Sequence, residues 1–182
     1  MKKIITIIVL LLVAVFLPQD AYAQEVYSEP SAALVNQILI EKDYTLDTRT
    51  KAVQNVFKKY NSPLSDQAHF YVKYADEFGL DWRLLPAISG LESTFGKFLM
   101  PGSYNAYGWG GGHIYFESWE DGIKVINKAL RENYINRGAT DVWSIGRIYA
   151  ESPTWSIRVN SFMQEINEEY LKLSIFSMLP TI

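Results

Sequence analysis

The amino-acid sequence predicts a mainly α-helical domain with one small irregular or β-hairpin lobe. Apolar residues recur at helical spacing through most of the chain after residue 31. One stretch, residues 97–117, has no sustained period and holds Pro101 and five glycines between Gly102 and Gly112. The 182 residues suffice for one domain with a hydrophobic core, and the absence of cysteine excludes disulfides.

The first 23 residues have the features of a secretory signal peptide. Two lysines precede the apolar run "IITIIVLLLVAVFL", and the small-residue site "AYA" stands before Gln24. The run is shorter than the roughly 18–20 residues of a membrane-spanning helix, so we prefer cleavage, with an uncleaved anchor as the alternative. We therefore expect an exported protein of the periplasm, cell wall or extracellular space, without stable membrane insertion after signal cleavage.

The composition of the chain limits the classes of binding partner that we expect. The net charge of −3 gives no reason to expect a nucleic-acid partner. Aromatic residues make up 14% of the chain, which suits a sugar-binding surface as well as a core. We expect a monomer.

Residues 24–62 are predicted to be a linker and a helical appendage packed on the main domain. Residues 24–31 are polar, and the segments "AALVNQILIEK" and "TKAVQNVFKKY" follow with helical apolar spacing. The second segment has one apolar stripe, formed by Val53, Val56, Phe57 and Tyr60.

Residues 63–175 are predicted to form the main domain. Ser65 is the expected cap of a helix that stops at Gly79, with an apolar stripe of Ala68, Tyr71, Val72, Ala75 and Phe78. Asp81 is the expected cap of "WRLLPAISGLES", whose inward residues are Leu85, Ile88 and Leu91. Pro86 lies deep in that segment, so we expect an irregular or kinked first turn.

Three further helices follow the irregular lobe. The capping-box pattern "SWED" (Ser118 to Asp121) opens a helix with Ile123, Ile126 and Leu130 inside. Thr140 or Asp141 caps a shorter helix. After Ser152 and Pro153 comes the last helix, with apolar residues Trp155, Val159, Phe162, Met163, Ile166 and Tyr170.

Elimination leaves carboxylates as the reactive groups. The chain has no cysteine nucleophile, and its two histidines, His69 and His113, do not have the spacing of a zinc site. Motifs for phosphate loops, dinucleotides and serine nucleophiles are absent. We expect no metal and no cofactor.

Glu92 is the carboxylate that the pattern singles out. Glu92 ends an apolar helical stripe, so we expect its carboxyl group to be partly desolvated. The C-terminus of a helix also carries partial negative charge. Both effects favour the protonated carboxyl group that a general acid needs. The alternative is an ordinary exposed glutamate in the last turn of a helix.

The loop that follows is rich in aromatic residues and glycine. Its aromatic residues are Tyr104, Tyr107, Trp109 and Tyr115. The glycines let the backbone approach a ligand closely, so these rings either stack on sugars or fill the interior of the lobe.

Four blocks in order, "AISGLESTFGK", "YNAYGWG", "FESWEDGIK" and "IYAESPTWSIRV", resemble the bacterial glucosaminidase family (mannosyl-glycoprotein endo-β-N-acetylglucosaminidase-like domain) of the lysozyme-like superfamily. The resemblance runs from about residue 65 to residue 170. It implies a lysozyme-like helical domain whose lobe forms a substrate groove. It also implies cleavage of peptidoglycan glycan strands.

The resemblance also implies residue roles. Glu92 matches the catalytic acid, and Tyr149 matches a tyrosine that supports the transition state. Trp155 replaces a tyrosine and keeps a packing ring. The block from Asn105 to Gly108 matches the groove floor, and the expected substrate-binding residues are Ser93, Asn105, Tyr107, Gly108, Trp109 and Trp155.

The second catalytic group stays open. Glu117 is the preferred candidate, because Glu120 and Asp121 are explained as residues of a helix N-terminus. The substrate's own 2-acetamido group is the alternative. His113 is interpreted as a plain loop histidine.

The type of reaction also stays open. The "YAESPTW" block favours a glucosaminidase, but a lytic transglycosylase or a muramidase on the same fold stays open. A non-catalytic cell-wall glycan-binding protein is the alternative outside the enzymes.

Overall fold

Seven α-helices dominate residues 31–178, the part of the chain that this computed structural model describes. They are α1 (Ala32–Leu46), α2 (Thr48–Lys59), α3 (Ala68–Phe78), α4 (Leu84–Ser93), α5 (Trp119–Asn133), α6 (Val142–Tyr149) and α7 (Trp155–Met178). The predicted mainly helical class is therefore confirmed. The predicted signal peptide lies outside the described residues. Within residues 31–178, no helix is both long and apolar enough to cross a membrane.

The core is assembled around α4 and α7. Helix α7 packs against α2, α4 and α6, and α3 packs against α2 and α5. Helix α4 is the most deeply buried: every residue from Leu84 to Gly90 is inaccessible or nearly so. A short helix buried on most sides can still present its last turn to solvent, and this is where the candidate acid lies.

Helix α2 is part of this core. Val53 and Phe57 have no exposed surface, and the Phe57 ring packs edge-on against Tyr71 of α3 at 5.3 Å between centroids. The expected boundary at residue 62 therefore falls inside one compact unit, which begins at Val35. By contrast, the described side chains of α1 are exposed.

Several helix ends follow the sequence signals. Gly79 adopts the left-handed conformation after α3, with its N–H bonded to Ala75 and Asp76 carbonyls. Ser118 caps α5 by accepting the N–H of Asp121 at 3.1 Å, while the Asp121 carboxylate accepts the N–H of Glu117 rather than that of Ser118, so only half of the predicted capping box forms. Asp141 caps α6 in a complete capping box with Ser144. These predicted ends are confirmed because each depends on a local hydrogen bond.

Two predicted helix starts are corrected. Helix α3 begins at Ala68, after a 3₁₀ turn over Ser65–Gln67, and the Ser65 hydroxyl donates to the Ser62 carbonyl at 2.8 Å instead of capping the helix. Helix α4 begins at Leu84, after a turn at residues 82–83, so the expected irregular start is confirmed and only the position of the first helical residue is corrected. Pro86 therefore stands in the first turn, where a missing N–H costs little.

The segment between α4 and α5 is irregular. The part of the chain from residue 31 to residue 178 contains no β-strand, so the β-hairpin alternative for this lobe is wrong. The Phe116 N–H donates to the Ser103 carbonyl at 2.9 Å and closes the loop on itself. The buried Phe116 ring then packs close to Gly122 of α5.

Candidate active site

A left-handed turn ends α4 directly after the candidate acid. Thr94, Phe95 and Gly96 have positive φ angles of 52°, 56° and 78°. This conformation costs about 1–2 kcal/mol at each non-glycine residue. The Phe95 N–H bond to the Ser89 carbonyl at 2.9 Å and the full burial of the Phe95 ring offset that cost. The chain thus turns sharply inward at Phe95 and leaves Glu92 at the protein surface.

The predicted desolvation of Glu92 is wrong, because the residue is exposed. Its carboxylate is nevertheless held in place. The indole N–H of Trp155 donates to Oε1 at 2.8 Å, and a Cβ built on Gly108 would lie 3.0 Å from Oε2. One oxygen is therefore anchored by α7, and the other faces the backbone of the loop.

Trp155, predicted to be a packing ring and a substrate-binding residue, also holds the acid. It is 97% buried at the start of α7, and its ring stacks on Tyr149 at 4.9 Å between centroids with a 29° interplanar angle. The stack joins the end of α6 to the start of α7. Because a tryptophan N–H is a donor only, its bond to Glu92 fixes which carboxylate oxygen is used as the acceptor.

Tyr149 points its hydroxyl into the protein. That hydroxyl donates to the Tyr107 carbonyl at 2.7 Å. Burial raises the pKa of Tyr149 well above its ordinary value, and the negative charge of Glu92 raises the pKa further. The hydroxyl therefore stays protonated and holds the loop at Tyr107, one residue before Gly108.

Two predicted substrate-binding residues, Tyr107 and Ser93, have their polar atoms bonded inside the protein. Tyr107 has no exposed surface, and its hydroxyl lies 3.0 Å from that of Tyr71. Ser93 is also buried, with its hydroxyl 2.8 Å from the Ala106 carbonyl and accepting the Gly96 N–H at 2.8 Å. Both side chains use their polar atoms inside the protein. Tyr107 lines none of the clefts beside Glu92, so its predicted contact with substrate is corrected, whereas Ser93 lines one of them and its binding role stays a prediction.

Asn105 organises the loop from within. Its side-chain amide donates to the carbonyls of Trp109 at 2.9 Å and Ile114 at 3.0 Å, and its oxygen accepts the Trp109 N–H at 3.1 Å. All of these partners are backbone groups of one tight loop. Asn105 therefore shapes the wall beside Glu92; because it also lines a cleft there, its predicted binding role stays a prediction.

Three clefts of similar size adjoin Glu92 or the loop next to it. One of about 400 Å³ runs from Glu92 towards α7, and its lining includes Glu151, Trp155 and Arg158. A second of about 410 Å³ lies between Glu92 and the loop and is lined by Phe98, Met100, Asn105, Gly108 and neighbouring residues. A third of about 390 Å³ is lined by Trp109, Tyr134, Tyr149 and three glycines of the loop. Glu92 belongs to the first two, and Gly108 and Gly111 to the last two.

Glu117 lies apart from these clefts. It is exposed before α5, its backbone N–H bonds to the Asp121 carboxylate at 3.2 Å, and it lines none of the three. Glu120 is tied to the Tyr74 hydroxyl at 2.6 Å. His113 is exposed at the end of the glycine turn. The structure therefore does not bring the preferred second carboxylate together with Glu92.

Two charged residues of the first cleft were missed from the sequence. Glu151 lies in the "YAESPTW" block between Tyr149 and Trp155, and Arg158 follows Trp155 by three residues. The sequence contained a signal that both residues lie near the site. Residues three apart on a helix share a face, and a loop residue between two site aromatics must lie near them.

No cluster of three or more histidine, aspartate or glutamate side chains within residues 31–178 is arranged to hold a metal ion. No protein-family model matches this chain, and a search of curated proteins finds no significant match. The glucosaminidase resemblance therefore stays a prediction that depends on the residues of the four blocks.

Proposed function

We propose that this protein is an exported peptidoglycan hydrolase that cuts the β-1,4 glycan backbone as an endo-β-N-acetylglucosaminidase on a lysozyme-like fold. The observation that carries the proposal is the placement of Glu92, an accessible carboxylate in the wall shared by two clefts, with one oxygen anchored by Trp155. In this proposal the three clefts form one substrate groove with Glu92 along its length.

Glu92 is the general acid of the proposed reaction. Its Oε1 is occupied by the Trp155 N–H, so the proton is carried on Oε2 and passes to the glycosidic oxygen. The bond to the leaving sugar then breaks through an oxocarbenium-like state. Tyr149 supports that state indirectly, because its hydroxyl fixes the loop that faces Oε2.

Aromatic rings provide the contact surface for sugar. Trp109 and Tyr149 line one cleft, with ring centroids 6.1 Å apart, and Tyr149 stacks in turn on Trp155. Pyranose rings have apolar faces that such surfaces bury. Accordingly, Trp109 keeps its proposed role as a binding residue.

Glu151 replaces Glu117 as the proposed second carboxylate. It lines the same cleft as Glu92, and within the described residues it makes no ion pair. A cleft of about 400 Å³ has room for a water molecule beside the sugar. Glu151 is thus placed to activate water once Glu92 has protonated the leaving group.

A comparison of three carboxylate-to-amide variants on purified peptidoglycan tests this proposal. Glu92→Gln is expected to lose about 10²–10⁴-fold in rate, the usual value of a general acid, and Glu151→Gln a smaller but clear factor. Glu117→Gln is the matched control and keeps the wild-type rate. Full activity of Glu92→Gln contradicts the proposal. Glycan binding without any cleavage by the wild type indicates a non-catalytic glycan-binding protein.

A further inference from the structure

One cation lies beside the proposed acid. Among the described residues that line the three clefts, Arg158 is the only lysine or arginine. The two clefts formed with the loop are lined, apart from Glu92, by neutral side chains and glycine backbone. Positive charge is therefore confined to the cleft between Glu92 and the start of α7.

The position of Arg158 follows from its helix. It stands three residues after Trp155 on α7, so the two side chains share a helix face. Trp155 is bonded to Glu92, which fixes that face towards the acid. The Arg158 residue is exposed, and its backbone N–H bonds to the Thr154 carbonyl.

The guanidinium has no carboxylate partner in the described chain. Glu92 and Glu151 line the same cleft, yet no pair of Arg158 with either lies within 4.0 Å. A guanidinium has five donors in a planar fork that matches a carboxylate. Arg158 therefore offers donors to a ligand in the cleft.

We infer that Arg158 binds a carboxylate of the glycan substrate on the α7 side of the bond that is cut. This inference rests on the proposed function of the groove. It gives the groove a polarity, because the acidic sugar or its substituent lies beside Arg158 and a neutral sugar lies in the loop clefts. Glu92 and Glu151 repel an anion, so the guanidinium is what makes the cleft accept one.

Two sources in peptidoglycan supply this chemistry. Strands without stem peptides carry a free lactyl carboxylate on each muramic acid. In intact strands that group is amidated, and the carboxylates belong to the peptide. A neutral chitin oligosaccharide has the same backbone and neither carboxylate.

Binding measurements in a Glu92→Gln background test the inference without turnover. The probes are a chitin oligosaccharide, a peptide-free peptidoglycan oligosaccharide and the same oligosaccharide with its stem peptides, each titrated by calorimetry. Adding Arg158→Gln is expected to weaken at least one carboxylate-bearing probe by about tenfold, a typical loss for a hydrogen bond to a charged group, and to leave the chitin affinity within about twofold. Arg158→Lys keeps part of the affinity. Arg137→Gln, which removes an exposed arginine outside the three clefts, changes nothing.

The probe that loses affinity identifies the source of the carboxylate. Equal loss for all three probes, no loss for any, or no binding of any probe overturns the inference. Cleavage by the wild-type protein is measured separately. If cleavage depends on Glu92 but binding is indifferent to Arg158, the inference alone fails. If the wild type cuts nothing while Arg158-dependent binding persists, the catalytic proposal alone fails.

Discussion

At the scale of single residues, Gly108 determines how close the loop comes to the acid. Its φ is +65°, and a Cβ there would lie 3.0 Å from Oε2 of Glu92. A side chain at this position would both strain the backbone and displace the carboxylate oxygen that is proposed to carry the proton.

Gly108→Ala is therefore expected to lower kcat by tenfold or more, on the order of 1.4 kcal/mol in the barrier. Gly102→Ala is the matched control, because Gly102 also has a positive φ, +75°, but nothing lies within 4 Å of its Cβ position. Both variants should lose a similar amount of stability, about 1 kcal/mol. Equal kcat in the two would show that the approach to Glu92 has no catalytic effect.

The indole N–H of Trp155 gives a second prediction at this scale. Trp155→Phe keeps an aromatic ring and removes the bond to Glu92, so we expect kcat to fall by roughly tenfold beyond any loss of stability. Trp82→Phe serves as control, since Trp82 packs on Tyr170 at 5.5 Å and lines none of the three clefts. Measuring kcat and the melting temperature of both variants separates the effect on the orientation of the Glu92 carboxylate from the effect on core packing. A catalytic loss that only tracks the melting temperature contradicts the assigned role.

Sequence reasoning found Glu92 and, through the family resemblance, the neighbours Gly108 and Trp155, but not the contacts that join them. The end of an apolar stripe is a local pattern, so the last-turn position was predictable. The exposure of Glu92 depends on a turn in which Thr94 and Phe95 have positive φ angles. Threonine and phenylalanine rarely adopt positive φ, so no sequence signal marks this turn. The partnership of Glu92 with Trp155 spans 63 residues of sequence and appears only in the folded chain.

At the scale of elements, Gly90 lets α4 lie against the chain that follows it. A Cβ on Gly90 would lie 2.6 Å from Cζ of Phe95 and 3.2 Å from Cδ2 of Phe162. The Phe95 ring also meets Phe57 of α2 at 5.5 Å and Phe162 of α7 at 5.1 Å between centroids. One aromatic cluster thus joins three helices directly behind the acid.

Gly90→Ala is expected to destabilise the protein by about 1–3 kcal/mol through overpacking, although alanine is the better helix former. The melting temperature should fall by on the order of 5 °C. Lys128→Ala, at an exposed position of α5, should leave it nearly unchanged. Combining Gly90→Ala with Phe95→Leu should cost less than the sum of the two single changes. Strict additivity would contradict the contact between the two positions.

The helices themselves were largely predictable, but their packing was not. Periodicity located the apolar faces of α2 to α7 because each face repeats locally. The apolar stripe of α2 predicted packing on the main domain, but the sequence of α2 does not reveal that its partners are α3 and α7. The position of Pro86 predicted an irregular start for α4, but not that the regular helix begins only at Leu84.

At the scale of the whole molecule, the core contains tyrosines that resist ionisation. Burial raises the pKa of Tyr71, Tyr107 and Tyr149 above the ordinary value. Below a pH of about 10 these groups are protonated in both the folded and the unfolded chain, so their contribution to stability is complete. Above about pH 10, these tyrosines lose their protons in the unfolded chain at a lower pH than in the folded chain. The free energy of unfolding therefore falls as pH rises.

The free energy of unfolding should therefore decrease steeply from about pH 10 upward, as measured by denaturant titration at a series of pH values. Absorbance at alkaline pH should show some of the tyrosines ionising only as the chain unfolds. Ionisation of every tyrosine in one step near pH 10, with the fold intact, would contradict the assigned burial.

Mass spectrometry of the soluble products from purified peptidoglycan tests the central claim most directly. The chain from Gln24 onward is compared with its Glu92→Gln variant. We predict that the wild type alone releases muropeptides, and that these end in reducing N-acetylglucosamine. Reducing N-acetylmuramic acid would instead identify a muramidase, and anhydro ends a lytic transglycosylase. Release of the same products by Glu92→Gln, or no release by the wild type from a wall that it binds, would contradict the account of Glu92 as the catalytic acid.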